Sequence, residues 1–304
     1  MRFLFLHLLL LTALFCPAQK ETAHWFLSGS RLAVTPAGIA NVVPSGLSPA
    51  FNPFTGSTSV ADAAGNLLFA CDNKTIVNRN LAIMPALAGV TLQGSDKILV
   101  AKVPGSSRYY VFYASPNDFK ANATWTLQYA IVDLSLNGGL GDVTVFNEVI
   151  DSSLSKGFTL AQGHQADEVW LVTHRNATTN FLSYKITAAG LTSTPVSSNA
   201  GTGTLTMDYI FKDLKTSHNG KLIAGIAYRD YSSDFAVTYQ FLEVFYFDAA
   251  DGTLTNKVRS ARTFGYFFQY QTVEFSPDDR LVYSGGRMVR HKQVTPYPNP
   301  AIIV

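Results

Sequence analysis

The chain has 304 residues, 47% hydrophobic, 12% aromatic and only 14% charged, and its 23 basic and 21 acidic residues leave a net charge of +2. That composition is enough for a sizeable core and far too apolar for a disordered chain. No basic run stands out, so a nucleic-acid partner, which needs clustered Lys and Arg to displace phosphate counterions, is not expected.

The N-terminus reads as a targeting leader. Arg2 supplies the positive charge, residues 3–15 are almost continuously apolar, and Cys16-Pro17-Ala18 offers small residues for cleavage after Ala18. The apolar run is shorter than the roughly 20 residues a membrane helix needs. The expectation is therefore export to the medium, the cell surface or the periplasm, with no membrane span once the leader is cleaved. Only Cys16 and Cys71 occur, so the mature chain is predicted to carry one thiol and no internal disulfide. Cys71 ends an apolar run with no His near it in sequence, and reads as a buried apolar residue.

Beyond the leader, one unit recurs. A polar turn is followed by a short apolar run at Leu67-Leu68-Phe69-Ala70, Tyr109-Tyr110-Val111-Phe112, Val169-Trp170-Leu171-Val172, Leu222-Ile223-Ala224-Gly225 and Leu281-Val282-Tyr283-Ser284. The starts lie 42, 60, 53 and 59 residues apart, a blade-length spacing or slightly longer. The runs are too short and too aromatic or β-branched for helices. Three of them are followed by a second strand and a Gly-containing turn: Tyr129-Ala130-Ile131-Val132-Asp133-Leu134 into Asn137-Gly138-Gly139, Tyr184-Lys185-Ile186-Thr187 into Ala188-Ala189-Gly190, and Phe245-Tyr246-Phe247-Asp248 into Ala249-Ala250-Asp251-Gly252. An apolar inner strand plus a hairpin per unit predicts an all-β protein, a β-propeller of four-stranded antiparallel blades, five to seven in number. A sixth unit is expected around His24-Trp25-Phe26-Leu27. Residues 81–90 are apolar, but Pro85 and Gly89 break any helix there and predict a loop. After Leu281 the expected hairpin does not arrive, so the last blade reads as incomplete. The predicted organisation is a leader over 1–18, a propeller over 19–286 and a C-terminal tail over 287–304.

Several segments, in order, carry a family resemblance: Trp25-Phe26, Asp62-Ala63-Ala64-Gly65-Asn66-Leu67-Leu68-Phe69, Ile76-Val77-Asn78-Arg79-Asn80 with Met84-Pro85, Asn137-Gly138-Gly139-Leu140-Gly141-Asp142-Val143, Trp170-Leu171-Val172-Thr173-His174 and Glu274-Phe275-Ser276-Pro277-Asp278. The chain resembles the N-terminal β-propeller region of large secreted proteins of Bacteroidota, which often precedes PKD-type modules and a gliding-associated C-terminal sorting domain. The Asn-Arg-Asn segment of that family is usually preceded by Trp and followed by His; Val77 and Leu81 stand there instead. Residues 296–301, Pro-Tyr-Pro-Asn-Pro-Ala, look like the opening of a type IX secretion sorting tail. The resemblance implies an outer-membrane export route and a truncated product.

No strong catalytic motif is present. His164, Asp167, Glu168 and His174 fall in one unit, but the two His flank a strand and lack the helical spacing of a zinc protease. Asp248, Asp251 and Asn256 are too sparse for a calcium loop. Gly138-Gly139-Leu140-Gly141 has no helix after it to hold a phosphate. Neither a metal nor a cofactor is expected. The expected function is an exported, non-catalytic module that binds a protein or glycan ligand at the bacterial surface, with Asn78, Arg79, Asn80, His164 and His174 as candidate contacts because polar loop residues serve recognition more often than packing. The alternatives are a propeller-scaffold hydrolase or lactonase with a central-channel active site, and a truncated fragment of a larger surface protein.

Overall fold

The structure is a computed structural model describing residues 24–27, 30–35, 38–42, 50–52, 56–95, 97–118, 123–200, 210–230, 238–259, 263–265, 268–288 and 302–303. The leader at 1–18 and the sorting-tail segment at 296–301 lie outside the described residues. The chain divides into two compact units: Met1–Leu92 with Leu134–Val143, and Gln93–Asp133 with Thr144–Val304. Both are built from antiparallel meanders, so the class is all-β with propeller-like, blade-type sheets.

The first unit holds two three-stranded sheets. One is β1 (His24–Leu27), β2 (Ser30–Thr35) and β3 (Gly38–Val42), a sheet where the sixth repeat was expected. The other is β4 (Ser57–Ala61), β5 (Leu67–Asp72) and β6 (Ile76–Asn78). Phe26, Phe51, Leu67, Ala70, Val77 and Leu81 form their shared core, with Phe26 edge-on to Phe51 at 5.3 Å. Cys71 is fully buried in β5, as its sequence context predicts. Residues 81–90 form a loop with one 3-10 turn, Pro85–Leu87.

The second unit begins with β7 (Ile98–Lys102), β8 (Arg108–Pro116), β9 (Trp125–Asp133), β10 (Asp142–Gln162), β11 (Val169–Arg175), β12 (Asn180–Thr187), β13 (Gly190–Leu191) and β14 (Val196–Asn199). These make one eight-stranded sheet in place of two separate blades. The cause is β10, 21 residues long: it pairs β9 at its start and β11 at its end, with a register irregularity between Leu154 and Phe158. Next come β15 (Ile210–Thr216), β16 (Leu222–Asp230), β17 (Thr238–Phe247), β18 (Leu254–Arg259) and β19 (Thr263–Gly265) in a five-stranded sheet. Finally β20 (Phe268–Phe275), β21 (Leu281–Met288) and β22 (Ile302–Ile303) form a three-stranded sheet. The last repeat therefore gains a short third strand, and β21 runs past the expected boundary at residue 286. Among the described residues the sheets have three, three, eight, five and three strands.

The recurring apolar runs are second strands rather than the expected inner ones. Each polar turn is a hairpin joining a first strand to the run: β4 to β5, β7 to β8, β10 to β11, β15 to β16 and β20 to β21. Second strands are buried on both faces, as the unbroken burial of residues 109–114 in β8 and 170–174 in β11 shows, so they read as continuous hydrophobic segments. First strands turn one face to polar surroundings and are less conspicuous.

Successive sheets of the second unit pack face to face. Phe181 on β12 meets Phe211 on β15 at 5.2 Å and Phe245 on β17 at 4.6 Å. Such aromatic pairs contribute about 0.5–1.5 kcal/mol each beyond their burial. The Trp170 indole N–H donates to the Ala249 carbonyl at 3.0 Å, and Gly252 lies under that ring with φ +78°. A Cβ at Gly252 would sit 2.6 Å from Trp170 Cζ3, so the position needs glycine for both space and conformation. Asp279, in the β20–β21 turn, accepts the backbone N–H groups of His218 and Asn219 at 2.8 Å each, tying that turn to the β15–β16 turn.

Candidate functional site

In the first unit the Asn-Arg-Asn segment is the turn leaving β6. Asn78 is 4% exposed, and its side-chain oxygen accepts the N–H groups of Asn80 at 2.9 Å and Ala82 at 3.3 Å. It caps the turn, while Arg79 and Asn80 are exposed at its tip. Leu81, where the resembled family carries His, is buried at φ +64°. Two of the segments on which the sequence resemblance was drawn meet here. Arg79 Nη2 lies 3.6 Å from where a Cβ on Gly139 would stand, and the Ala86 N–H donates to Asp142 Oδ1 at 3.0 Å.

His164 and His174 have separate surroundings. His174 is 1% exposed, packed edge-on against Phe181 at 4.8 Å and Phe211 at 4.6 Å, with Nδ1 3.0 Å from Ser155 Oγ. Burial pushes its pKa down to about 3, partly opposed by a hydrogen bond that the ring donates to the Thr178 backbone carbonyl. It is a neutral core histidine with no route to a ligand in this conformation. His164 is exposed and lines a cavity of about 620 Å³ at the hairpin ends, with Gln162, Lys221, Tyr246 and Asp248. Much of that polar lining is spent on turns: Asp248 accepts the Ala250 N–H at 2.8 Å, and Asn219 accepts the Lys221 N–H at 2.9 Å.

The more distinctive site lies on the first strands. A cavity of about 520 Å³ is bounded by Lys97 and Leu99 of the β7 strand and the residue before it, by Lys156, Thr159 and Leu160 of β10, by Lys212, Asp213, Lys215 and Thr216 of β15, and by Thr272, Val273 and Glu274 of β20. Three sheets of the second unit thus line it: the five- and three-stranded sheets contribute their first strands, and the eight-stranded sheet contributes the strands that open its two halves.

Asp213 is the hub. One oxygen accepts from Lys97 Nζ at 2.6 Å, and the other accepts from the Thr272 hydroxyl at 3.0 Å and the Val273 N–H at 3.2 Å. Lys97 also donates to the Leu214 carbonyl at 2.8 Å and lies 5.6 Å from the Phe158 ring centre. Burial lowers the Lys97 pKa, and the Asp213 carboxylate opposes that shift. Lys215 pairs with Glu274 at 2.7 Å, and the Thr159 and Thr216 hydroxyls are 3.1 Å apart. Lys156 Nζ stands 5.3 Å from the Trp125 ring centre.

Bulges aim these side chains. The β15–β16 register shifts between Phe211 and Asp213, leaving Lys212 as the extra residue, and the β20–β21 register shifts between Tyr270 and Thr272. A bulge re-aims side chains and bends its strand. The neighbouring backbones come close: a Cβ on Gly157 of β10 would sit 3.0 Å from the Phe211 carbonyl oxygen, and one on Gly225 of β16 would sit 2.7 Å from Leu214. None of the pocket lysines was singled out from the sequence. The available signals were Gly225 and Gly285, glycines inside apolar strands that mark bulges, and lysines on the segments before the repeated turns.

Among the described residues, no group of three or more His, Cys, Asp or Glu is placed to hold a metal ion, and no helix is long and apolar enough to cross a membrane. No protein-family model matches the chain, and no curated protein matches it. Among solved structures it is similar to a protein from Bacteroides uniformis assigned provisionally as a 6-phosphogluconolactonase, with 13% identity over 87% of this chain and 71% of that one at a TM-score of 0.41. It is similar to the hydrazine synthase of Kuenenia stuttgartiensis at 13% identity, 88% and 71% coverage and TM-score 0.41, and to a eukaryotic initiation factor at 9% identity, 88% and 68% coverage and TM-score 0.29. At such scores these likenesses bear on neither activity nor ligand, and the fold class rests on the chain's own sheets.

Proposed function

We propose that this chain is an exported binding module of the cell surface, of the kind found at the N-terminus of large secreted Bacteroidota proteins, and that it binds a glycan. The observation that carries this reading is the state of the two carboxylates at the first-strand pocket. Asp213 and Glu274 are each held by a lysine, at 2.6 and 2.7 Å. Hydrolysis by paired carboxylates needs one raised-pKa acid and one base poised for water or sugar. Carboxylates tied into ion pairs serve instead to position the lysines and the strands that carry them. The remaining lining, lysine ammonium groups with threonine hydroxyls and leucine side chains, suits recognition of a polar ligand with apolar faces, as sugars are. A glycan fits that mixture better than a flat protein surface fits a pocket of about 520 Å³.

The leader and the sorting-tail resemblance support the location. Expression in a Bacteroidota host is expected to give a product on the surface or in the medium that lacks residues 1–18, and retention in the cytoplasm contradicts it. For the activity, the purified chain is applied to immobilised bacterial surface polysaccharides and assayed against chromogenic glycosides and lactones. Retention without turnover is the expected result; turnover abolished by Asp213→Asn or Glu274→Gln contradicts the binding reading and favours the hydrolase.

A further inference from the structure

The chain holds two Asn-Gly pairs, Asn137-Gly138 and Asn219-Gly220, and the fold treats them in opposite ways. An asparagine followed by glycine carries its own reaction. The backbone nitrogen of the next residue can attack the side-chain amide carbon, and glycine leaves that nitrogen unshielded because it has no side chain. In a folded chain the reaction depends on how freely the two groups can meet.

At Asn219 both groups are held. The Asn219 side-chain oxygen accepts the Ser217 hydroxyl at 3.0 Å and the Lys221 N–H at 2.9 Å, and the Gly220 N–H, the attacking group, donates to the Ser217 carbonyl at 3.0 Å. The Asn219 N–H is tied in turn to Asp279 at 2.8 Å. Asn137 lies in the turn between β9 and β10, and both it and Gly138 are exposed. The bonds that shape this turn bypass the reacting groups. The Gly139 and Gly141 N–H groups donate to the Leu136 carbonyl at 3.0 and 3.1 Å, and the Leu140 N–H donates to the Asn137 carbonyl at 3.3 Å. Among the described residues, neither the Asn137 side chain nor the Gly138 N–H has a hydrogen-bond partner.

We propose that Asn137 is a site of spontaneous covalent modification, at which the Gly138 nitrogen closes on the side chain and the amide is converted to isoaspartate and aspartate. The nitrogen lone pair forms a bond to Cγ, and the Cγ–Nδ2 bond breaks. Nδ2 leaves as ammonia, carrying by way of solvent the proton that Gly138 loses. One water then opens the five-membered imide, at the main-chain carbonyl to give isoaspartate or at the side-chain carbonyl to give aspartate. One water is consumed, one ammonia is released, and nothing is oxidised or reduced. Isoaspartate adds a methylene to the main chain in the turn that feeds β10. Either product places a carboxylate on the turn that Arg79 lies against, with Nη2 3.6 Å from where a Cβ on Gly139 would stand.

The test incubates the purified chain in mildly alkaline buffer, native and in urea, and follows both sites by peptide mass spectrometry. Conversion of amide to acid raises the peptide mass, and isoaspartate separates from aspartate on chromatography. In native buffer Asn137 is expected to convert at least about tenfold faster than Asn219, because three hydrogen bonds must be released before the second pair can react. In urea the two rates are expected to converge to within a few-fold, since both asparagines precede glycine. Isoaspartate is expected in the Asn137 product, because direct hydrolysis of the amide gives aspartate alone. Equal rates in native buffer, an Asn137 that stays unconverted there while the unfolded chain reacts, an Asn137 advantage undiminished in urea, or a product without isoaspartate overturns the proposal.

Discussion

Acid is expected to destabilise this protein through His174. The side chain is 1% exposed between Phe181 and Phe211, and burial holds its pKa at about 3 against an ordinary value of 6.5. Below pH 6.5 the unfolded chain takes up a proton that the folded chain refuses, so stability falls as the pH drops and the loss levels off below about 3. The full gap is worth roughly 5 kcal/mol, and roughly 2 kcal/mol of it is lost by about pH 5, at 1.36 kcal/mol per pH unit. That is a large share of a typical domain stability of about 5–15 kcal/mol. Urea denaturation followed by far-UV circular dichroism at about pH 8 and about pH 5 measures it. The comparison is His174→Phe/Ser155→Ala, which removes the titrating ring and its hydroxyl partner together, so that no buried hydroxyl is left unpaired. Surface carboxylates titrate alike in both proteins and cancel. The parent chain is expected to lose about 2 kcal/mol more than the double variant over that interval. Equal losses would show that His174 takes up its proton at an ordinary pH in the folded protein, against the burial described.

Asp213→Ala removes the partner of Lys97 and the acceptor of Thr272 and Val273, and is expected to cost about 2–4 kcal/mol in urea denaturation. Adding Lys97→Met to that variant is expected to restore part of the loss, because an unpaired ammonium is no longer enclosed; a further loss of the same size would contradict the pairing. Gly252→Ala places a methyl 2.6 Å from the Trp170 ring at φ +78° and is expected to cost about 2 kcal/mol or more, with a changed tryptophan emission; an unchanged urea midpoint would mean the turn relaxes freely. Cys71 is fully buried, and burial, then the Asp72 charge, raises its thiol pKa. With Cys16→Ser as background, Cys71 is expected to resist a disulfide reagent until urea unfolds the chain, and rapid modification in native buffer would place it at the surface.

What was legible in the sequence follows burial. The repeated runs were visible because second strands such as β8 and β11 are covered on both faces, and their hairpins were visible because turns need Gly, Asn and Asp. The strands that build the pocket were not. In β15, Ile210, Phe211 and Leu214 are buried while Lys212, Asp213, Lys215 and Thr216 are part-exposed, and the bulge at Lys212 breaks the alternation that would have marked a strand. The pocket itself joins positions 97, 156, 213 and 272, and no local pattern links residues so far apart in the chain. Asn78 and His174 stood out as polar residues in specific segments, and both turn out to be enclosed, one as a turn cap and one between aromatic rings. For His174 a signal was present: it follows Trp170-Leu171-Val172-Thr173 on a strand apolar on both faces.

Ligand placement can be read directly from amide chemical shifts of the isotope-labelled chain titrated with an oligosaccharide cut from a surface polysaccharide that retains it. If the first-strand pocket is the binding site, shifts concentrate at Lys156, Thr159, Lys212, Thr216 and Thr272. Shifts confined to the hairpin-end cavity around His164, Lys221 and Asp248, or none at all, would contradict it.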